Sequence, residues 1–287
     1  MFVRIIAFIA TLAAFVLPLL LLLSGRTPSY LPPLHIIELN TSHLMPASTI
    51  DDAIADTGIP FLDDLADSVS SSASDTVNAV ADRLGVHDFY TAHLLTYCWG
   101  EEQDVTGCDG QHVPFEFDPI PILETDLVDD VTLENLGFPV DDVKDKMRIL
   151  KTVYKVMGIF VLVATILAGV SVLVGIWGLF GGRLSAALLG TLMGIAALLL
   201  IVAAVMATII AIKVRDVLNR ELDDVGITAD ESRDFLGVMW GAVAAALLAT
   251  TVWGLGCCMG GRKHSKRDSI GDEGLVGGRR RRRGWRM

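Results

Sequence analysis

Four stretches of the chain contain no Asp, Glu, Lys or Arg residue: residues 5–23, 156–180, 184–212 and 235–261. The shortest of them has 19 residues, and an α-helix of that length crosses about 30 Å of hydrocarbon at 1.5 Å per residue. The pattern predicts an all-α bundle of four transmembrane helices. It argues against a soluble protein and against a nucleic-acid partner.

Charge divides the polar remainder into two unlike parts. Residues 25–150 hold 24 acidic and 5 basic side chains, whereas residues 262–287 hold 10 basic and 3 acidic ones. Short loops rich in Lys and Arg stay in the cytoplasm. We therefore expect a multi-pass protein whose termini are both cytoplasmic and whose acidic region is extracellular.

The predicted order of segments follows from these two patterns. It comprises a cytoplasmic N-terminus (1–4), a first span (5–23), an extracellular domain (24–152), a second span (153–180), a cytoplasmic turn (181–183), a third span (184–212), an extracellular loop (213–234), a fourth span (235–258) and a basic cytoplasmic tail (259–287). The first span is longer than the apolar core of a signal peptide, which favours a retained signal anchor. Cleavage is the alternative and would leave three spans.

The extracellular domain is predicted to be mixed in structure. Apolar residues at helical spacing predict an amphipathic helix over residues 62–84. Val113, Phe115 and Phe117 alternate with polar or proline positions, which predicts a short edge strand. From Asp141 onward a helical pattern runs into the second span, so that this helix projects out of the membrane.

The four cysteines form two pairs with different expected roles. Cys98 and Cys108 fall in the extracellular domain, where disulfides persist, and are predicted to be bonded to each other rather than free. Cys257 and Cys258 lie at the cytoplasmic end of the fourth span. They are candidates for S-acylation, or are simply small residues within the membrane.

Other candidate chemistry is sparse. Asn40 begins a glycosylation sequon on the predicted extracellular side. The paired aspartates lack the ligand spacing of a calcium loop, the histidines are scattered, and we find no catalytic or nucleotide-binding motif. We therefore expect no catalytic residue, no metal and no cofactor.

Small residues recur at four-residue spacing in the third and fourth spans. Gly190 and Gly194 belong to one such stripe, and Gly237 and Gly241 to another. Small residues let helices approach closely in lipid, either within one bundle or between two copies of the chain. The four apolar stretches contain no ionisable side chain, which disfavours a transporter or channel subunit.

One stretch of the extracellular region resembles a known family. Residues 88–100, DFYTAHLLTYCWG, followed by Cys108, are similar to the signature of the fungal Sur-seven/PalI family of claudin-like membrane proteins. Leu95 stands where the claudin pattern has a tryptophan, three residues before Cys98. The resemblance implies four spans and a first extracellular loop that holds a cysteine pair and a short claudin-like β element.

The resemblance also implies a non-enzymatic function at the plasma membrane. Family members organise stable cortical patches (eisosomes) that affect endocytosis and cell-wall integrity, or, in the PalI branch, assist ambient-pH signalling. The short tail favours the patch-organising branch, with other cortical patch proteins as partners. Within the tail, Arg279, Arg280, Arg281, Arg282 and Arg283 either attract anionic inner-leaflet lipids or only enforce topology.

Overall fold

Four long helices form the main part of the fold. The computed structural model describes residues 2–41, 86–102, 104–118, 121–122, 125, 140–178, 183–221 and 228–259. The helices are α1 (Phe2–Leu23), α2 (Val140–Gly178), α3 (Arg183–Glu221) and α4 (Arg233–Met259). Each contains a segment that is long and apolar enough to cross a membrane: Val3–Leu23, Arg148–Gly178, Leu184–Lys213 and Arg233–Gly256. The chain is a multi-pass membrane protein, mostly helical.

The helices pack as a closed ring in which each contacts the next along the chain and α1 also contacts α4. Small side chains fill the helix contacts: Ala196, Ala203 and Ala207 of α3 are fully buried. Large aliphatic side chains of the same helix point outward, as Leu198 does at 65% exposure. This inversion is expected in lipid, which solvates large apolar groups well and leaves close packing to small residues.

A five-stranded antiparallel sheet lies at one end of the bundle, which we call the sheet end. The order of its strands is β4-β3-β2-β1-β5. They are β1 (Ile37–Asn40), β2 (Phe89–Ala92), β3 (Tyr97–Glu101), β4 (Asp104–Cys108) and β5 (Thr228–Glu231). β1 pairs with both β2 and β5, so the sheet joins the α1–α2 connection to the α3–α4 connection.

The prediction of an edge strand at Val113, Phe115 and Phe117 is wrong, because residues 113–118 pair with no strand. The alternation is real, since Phe115 and Phe117 are buried and Glu116 is exposed. Its partner is a helix, because both phenyl rings pack against Tyr154 of α2. The amphipathic helix expected at 62–84 lies outside the described residues.

The projecting helix was predicted correctly. α2 begins at Val140 and runs without a break into the second span. α3 likewise continues past Ile212 to Glu221, into the segment that was expected to be a loop, and β5 follows in the same segment. Both middle helices therefore extend at the sheet end past their apolar segments, Arg148–Gly178 and Leu184–Lys213.

Candidate functional site: the junction between sheet and bundle

His93 lies at the centre of the junction and is fully buried. Its Nδ1–H donates to the carbonyl oxygen of Leu34 at 3.1 Å, and its Nε2 lies 3.4 Å from the Thr91 hydroxyl, from which it can accept. The Tyr154 hydroxyl of α2 donates to the carbonyl oxygen of His93. One residue thus connects β2, the segment before β1 and the second membrane helix.

Burial keeps this imidazole neutral. The pKa of His93 falls from its usual 6.5 to about 4, first because burial removes water from the charged form and then because His35 is close by. The His35 ring meets the His93 ring edge-on at 6.4 Å, and its Nε2 lies 3.5 Å from a Glu38 carboxylate oxygen. The neutral tautomer with its proton on Nδ1 can donate to the Leu34 carbonyl oxygen and accept from the Thr91 hydroxyl.

The end of α1 is part of the same junction. Gly25 adopts a positive φ of 73°, and a Cβ built there would come within 2.6 Å of the His93 ring. Only glycine combines that backbone conformation with such a close approach. Beside it, the Gln111 side chain donates to the carbonyl oxygen of Leu22 at 3.0 Å. α1 is therefore connected to both the sheet and the segment that follows it.

Ion pairs connect residues 115–118 to α2. Lys155 Nζ lies 2.6 Å from a Glu116 carboxylate oxygen, and Lys151 pairs with Asp118. The hydrogen bond from Lys155 and its charge lower the pKa of Glu116. The Lys155–Glu116 pair is well exposed, so it positions the segment more than it stabilises the fold, whereas the Lys151–Asp118 pair is half-buried.

Cys98 and Cys108 lie opposite each other on β3 and β4, with their sulfur atoms at the disulfide distance of 2.09 Å. Cys98 is buried, and its sulfur lies 3.6 Å from the carbonyl oxygen of Gly25. The pair therefore joins the edge strand β4 to the part of the sheet that contacts α1. On the other face of β3, the Trp99 indole lies against Gly107, where a Cβ would approach it to 2.5 Å.

The α3–α4 connection reaches the junction through Ser232. Its hydroxyl donates to the carbonyl oxygen of Pro33 at 2.8 Å and accepts from the Phe235 N–H, so it also caps the first turn of α4. Arg215 of α3 lies 3.7 Å from Glu231 at the end of β5. All four helices thus meet the sheet region at one end.

The remaining predicted sites fall in three different places. Asn40 is half-buried at the end of β1, between β2 and β5, and its glycosylation stays a prediction. Cys257 and Cys258 belong to the last turn of α4, at the end opposite the sheet. The arginines of the tail lie outside the described residues: Arg279, Arg280, Arg281, Arg282 and Arg283.

The predicted glycine stripes have unequal surroundings. A Cβ at Gly190 would lie 3.7 Å from the backbone of Gly254, and one at Gly194 would lie 3.6 Å from Thr250, so both face α4. A Cβ at Gly241 would lie 3.6 Å from Leu17 of α1. Gly237 is exposed, and among the described residues a Cβ there would meet nothing within 4 Å.

Tighter glycine contacts, absent from the sequence predictions, lie between α1 and α2. The Phe15 ring packs on Gly169, where a Cβ would approach it to 3.0 Å, and the Phe8 ring packs on Gly175 at 3.2 Å. The spacing of six residues between these glycines does not follow the four-residue pattern. A search for pairs of aromatic and glycine residues on neighbouring spans would have found them.

Two aromatic side chains near the ends of the spans are buried. Trp253 is 2% exposed, and its indole N–H donates to the Thr11 hydroxyl of α1 at 3.1 Å. Tyr154 is fully buried beneath the sheet. Both side chains donate a hydrogen bond to a buried acceptor, which satisfies their polar group away from water. Trp177, at 82% exposure, does face outward.

Within the described ranges, no three His, Cys, Asp or Glu side chains are grouped so that they could hold a metal ion. The junction consists of a neutral imidazole, a buried phenol and backbone carbonyls, all engaged in mutual hydrogen bonds. Such an arrangement connects elements and holds them in fixed positions.

The fold defines a class of protein. Four membrane-spanning helices carry a small antiparallel sheet that takes strands from both connections at one end, which is a claudin-like four-span architecture. The sequence profile of the SUR7/PalI family matches residues 3–252, and the chain belongs to that family. The resemblance drawn from residues 88–100 is thereby confirmed. No curated protein matches the chain significantly.

Proposed function

We propose that this protein organises a stable domain of the plasma membrane and is not an enzyme. Membership of the SUR7/PalI family over residues 3–252 is the observation that carries the proposal. The spans support it as well, since the described bundle buries alanines, aromatic rings and hydroxyl groups but no charged side chain. An assembly of this kind is suited to packing beside other proteins and lipids.

In the proposed arrangement the sheet is extracellular and both termini are cytoplasmic. The basic tail then meets the anionic inner leaflet, where each arginine near the surface contributes roughly 1 kcal/mol of attraction. The partners in this arrangement are inner-leaflet lipids, other cortical patch proteins and further copies of the chain. The junction holds the extracellular sheet in a fixed orientation above the bundle.

Photobleaching of the tagged protein in its native cell tests this proposal. We expect fixed cortical patches with slow fluorescence recovery. Replacing Arg279, Arg280, Arg281, Arg282 and Arg283 with Gln should speed recovery without preventing membrane insertion, because the spans still hold the protein in the bilayer. The matched control replaces the same five residues with Lys, which keeps the charge and should keep recovery slow.

A diffuse wild-type signal with rapid recovery would contradict the patch proposal. It would favour the PalI-like alternative, in which the protein is an adaptor for a pH or cell-wall sensor. Impaired growth of a deletion strain at alkaline pH would then support that alternative. If the protein forms fixed patches and fluorescence recovers equally slowly in the wild type and the Gln variant, the patch proposal stands. Only the proposed role of the tail arginines is then contradicted.

A further inference from the structure

α2 and α3 carry exposed apolar stripes that are longer than an ordinary membrane is thick. On α2 the stripe runs from Ile149, 68% exposed, to Trp177. On α3 it runs from Leu184 to Ile212, 48% exposed. Each stripe covers about 42 Å of helix at 1.5 Å per residue. We call the surface that the two stripes form the long face.

The long face carries charged side chains on α2, where those of Lys151 and Lys155 are 33% and 41% exposed. The α3 stripe contains none, and Lys213 follows directly after Ile212. In α2, Lys151 and Lys155 are paired with Asp118 and Glu116 of the segment packed against Tyr154. The ion pairs thus direct both ammonium groups toward the sheet side. At the sheet end the apolar segments of the two helices are bounded by Arg148 and Lys213.

The other two helices have shorter apolar segments. The segments apolar enough to cross a membrane have 21 residues in α1 and 24 in α4, against 31 in α2 and 30 in α3. The two shorter segments correspond to about 32 Å and about 36 Å of helix, and the two longer ones to about 45 Å. The α2–α3 side of the bundle therefore needs a thicker layer of hydrocarbon than the α1–α4 side.

Tilt alone does not hide the long face. An average hydrocarbon core is about 30 Å thick, and a sterol-rich plasma membrane reaches about 33 Å. A typical tilt of about 20° shortens the stripe only to about 39 Å, and a tilt of about 40°, at the limit of what is observed, would be needed to fit it. In an ordinary bilayer, apolar residues at one end of the stripes or at both meet headgroups and water, and at the sheet end these are Ile149 and Ile212.

We propose that the long face binds long, ordered acyl chains, so that the protein favours a hydrocarbon core thicker than about 33 Å and thickens the leaflet at the sheet end. This inference deepens the proposed function by naming the lipid of the membrane domain. Only the link between this lipid and a membrane domain rests on the proposed function. The inference itself concerns the bilayer around one molecule.

The composition of the long face favours lipid over a second copy of the chain. Its exposed side chains are large and branched, such as Ile166, Leu198 and Ile209. The small residues that allow close approach between helices in lipid face inward instead, as Ala196 and Ala203 do. Flexible acyl chains can pack against a surface of branched side chains. A second helix instead needs small residues that leave a groove for its backbone.

Cysteine labelling of the full chain in vesicles tests the inference. Single cysteines replace Ile212 or Ile149 in a background in which Cys257 and Cys258 are alanine. The protein is placed in phosphatidylcholine vesicles with monounsaturated chains of about 18 or about 22 carbons and treated with a membrane-impermeant maleimide. Ile195→Cys, in the middle of the α3 stripe, and Thr125→Cys, outside the four long helices, are the matched controls.

We expect Ile212→Cys and Ile149→Cys to react at least several-fold more slowly in the thicker bilayer. Ile195→Cys should be protected in both bilayers, and Thr125→Cys should react in both. Equally fast labelling of the two test positions in both bilayers would overturn the inference. So would protection in both, and disulfide crosslinking of Ile212→Cys between molecules would then identify a second copy as the cover. None of these results depends on patches in the cell.

Discussion

His93 illustrates, at the scale of a single residue, how one buried side chain joins distant parts of the chain. Its ring and backbone contact the segment before β1, the adjacent strand and α2. Each partner group is buried as well, so losing one bond leaves an unsatisfied polar atom that costs about 1–3 kcal/mol. The three contacts therefore depend on each other.

The neutral state of His93 predicts a pH dependence of stability. Its pKa is about 4 in the fold and near 6.5 when exposed, so the unfolded chain binds more protons between these values. The free energy of unfolding should consequently fall as the pH drops from 6.5 to 4, by up to about 3 kcal/mol at the acid end. Thermal unfolding in detergent across this range measures the slope.

A substitution separates His93 from the other titrating groups. His93→Asn keeps an N–H donor near the Nδ1 position but cannot be protonated, so its stability should be lower at neutral pH and change less between pH 6.5 and 4. His112→Asn, at a histidine with a largely exposed side chain, should leave the slope of the wild type unchanged. An equal slope in His93→Asn and wild type would contradict the assignment.

At the scale of elements, the glycines of this bundle differ in what they face on the neighbouring helix. Gly169 and Gly175 of α2 receive the rings of Phe15 and Phe8 from α1. Gly237 of α4 also belongs to a regular stripe of small residues. Among the described residues, however, none lies within 4 Å of a Cβ built at Gly237. The spacing of glycines along one helix therefore does not show which of them contact another helix. The side chains of the neighbouring helix must also be known.

This difference predicts opposite effects of one substitution. Gly169→Leu should destabilise the bundle by about 1–3 kcal/mol, because the new side chain must displace Phe15. Gly237→Leu should be neutral or stabilising by up to about 1 kcal/mol, because leucine favours the helix and meets only lipid or headgroups. Unfolding of the two variants in the same detergent gives the comparison. Equal losses in both would show that Gly237 also makes a contact, between molecules.

At the scale of the whole molecule, α1 behaves as a full member of the bundle. Thr11 accepts a hydrogen bond from the buried Trp253 indole, and the rings of Phe8 and Phe15 fill glycine grooves on α2. Removal of α1 would leave the indole N–H in lipid without a partner, where an unsatisfied polar group is costly. A cleaved signal peptide needs no such contacts.

We therefore predict that α1 is retained in the mature protein. Peptide mapping by mass spectrometry of protein purified from membranes should recover residues preceding Arg26. A tag at the N-terminus should remain attached and be protected from protease added to intact cells. A mature chain that begins near Arg26 would show that α1 is a signal peptide and that the bundle has three spans.

The hydrophobic pattern alone determined the number of spans and the continuous helix into α2. This works because the membrane acts on each segment separately: every backbone group inside it must bond within the helix, and every side chain must tolerate hydrocarbon. The signature at residues 88–100 with Cys108 also pointed to the family, which the match over residues 3–252 confirms. In the structure this signature covers strands β2 and β3 and ends at the cysteine of β4.

Only the tertiary structure decided the partners of these elements. Strands of four or five residues carry too short a pattern to be recognised, and the paired residues of β1 and β5 are 188 to 194 positions apart in the sequence. Phe115 and Phe117 alternate as a strand would, yet their partner is a helix. His93 looked like one scattered histidine among several. Contacts between distant segments depend on which surfaces the complete fold brings together, and that information is spread over the chain instead of residing in any local pattern.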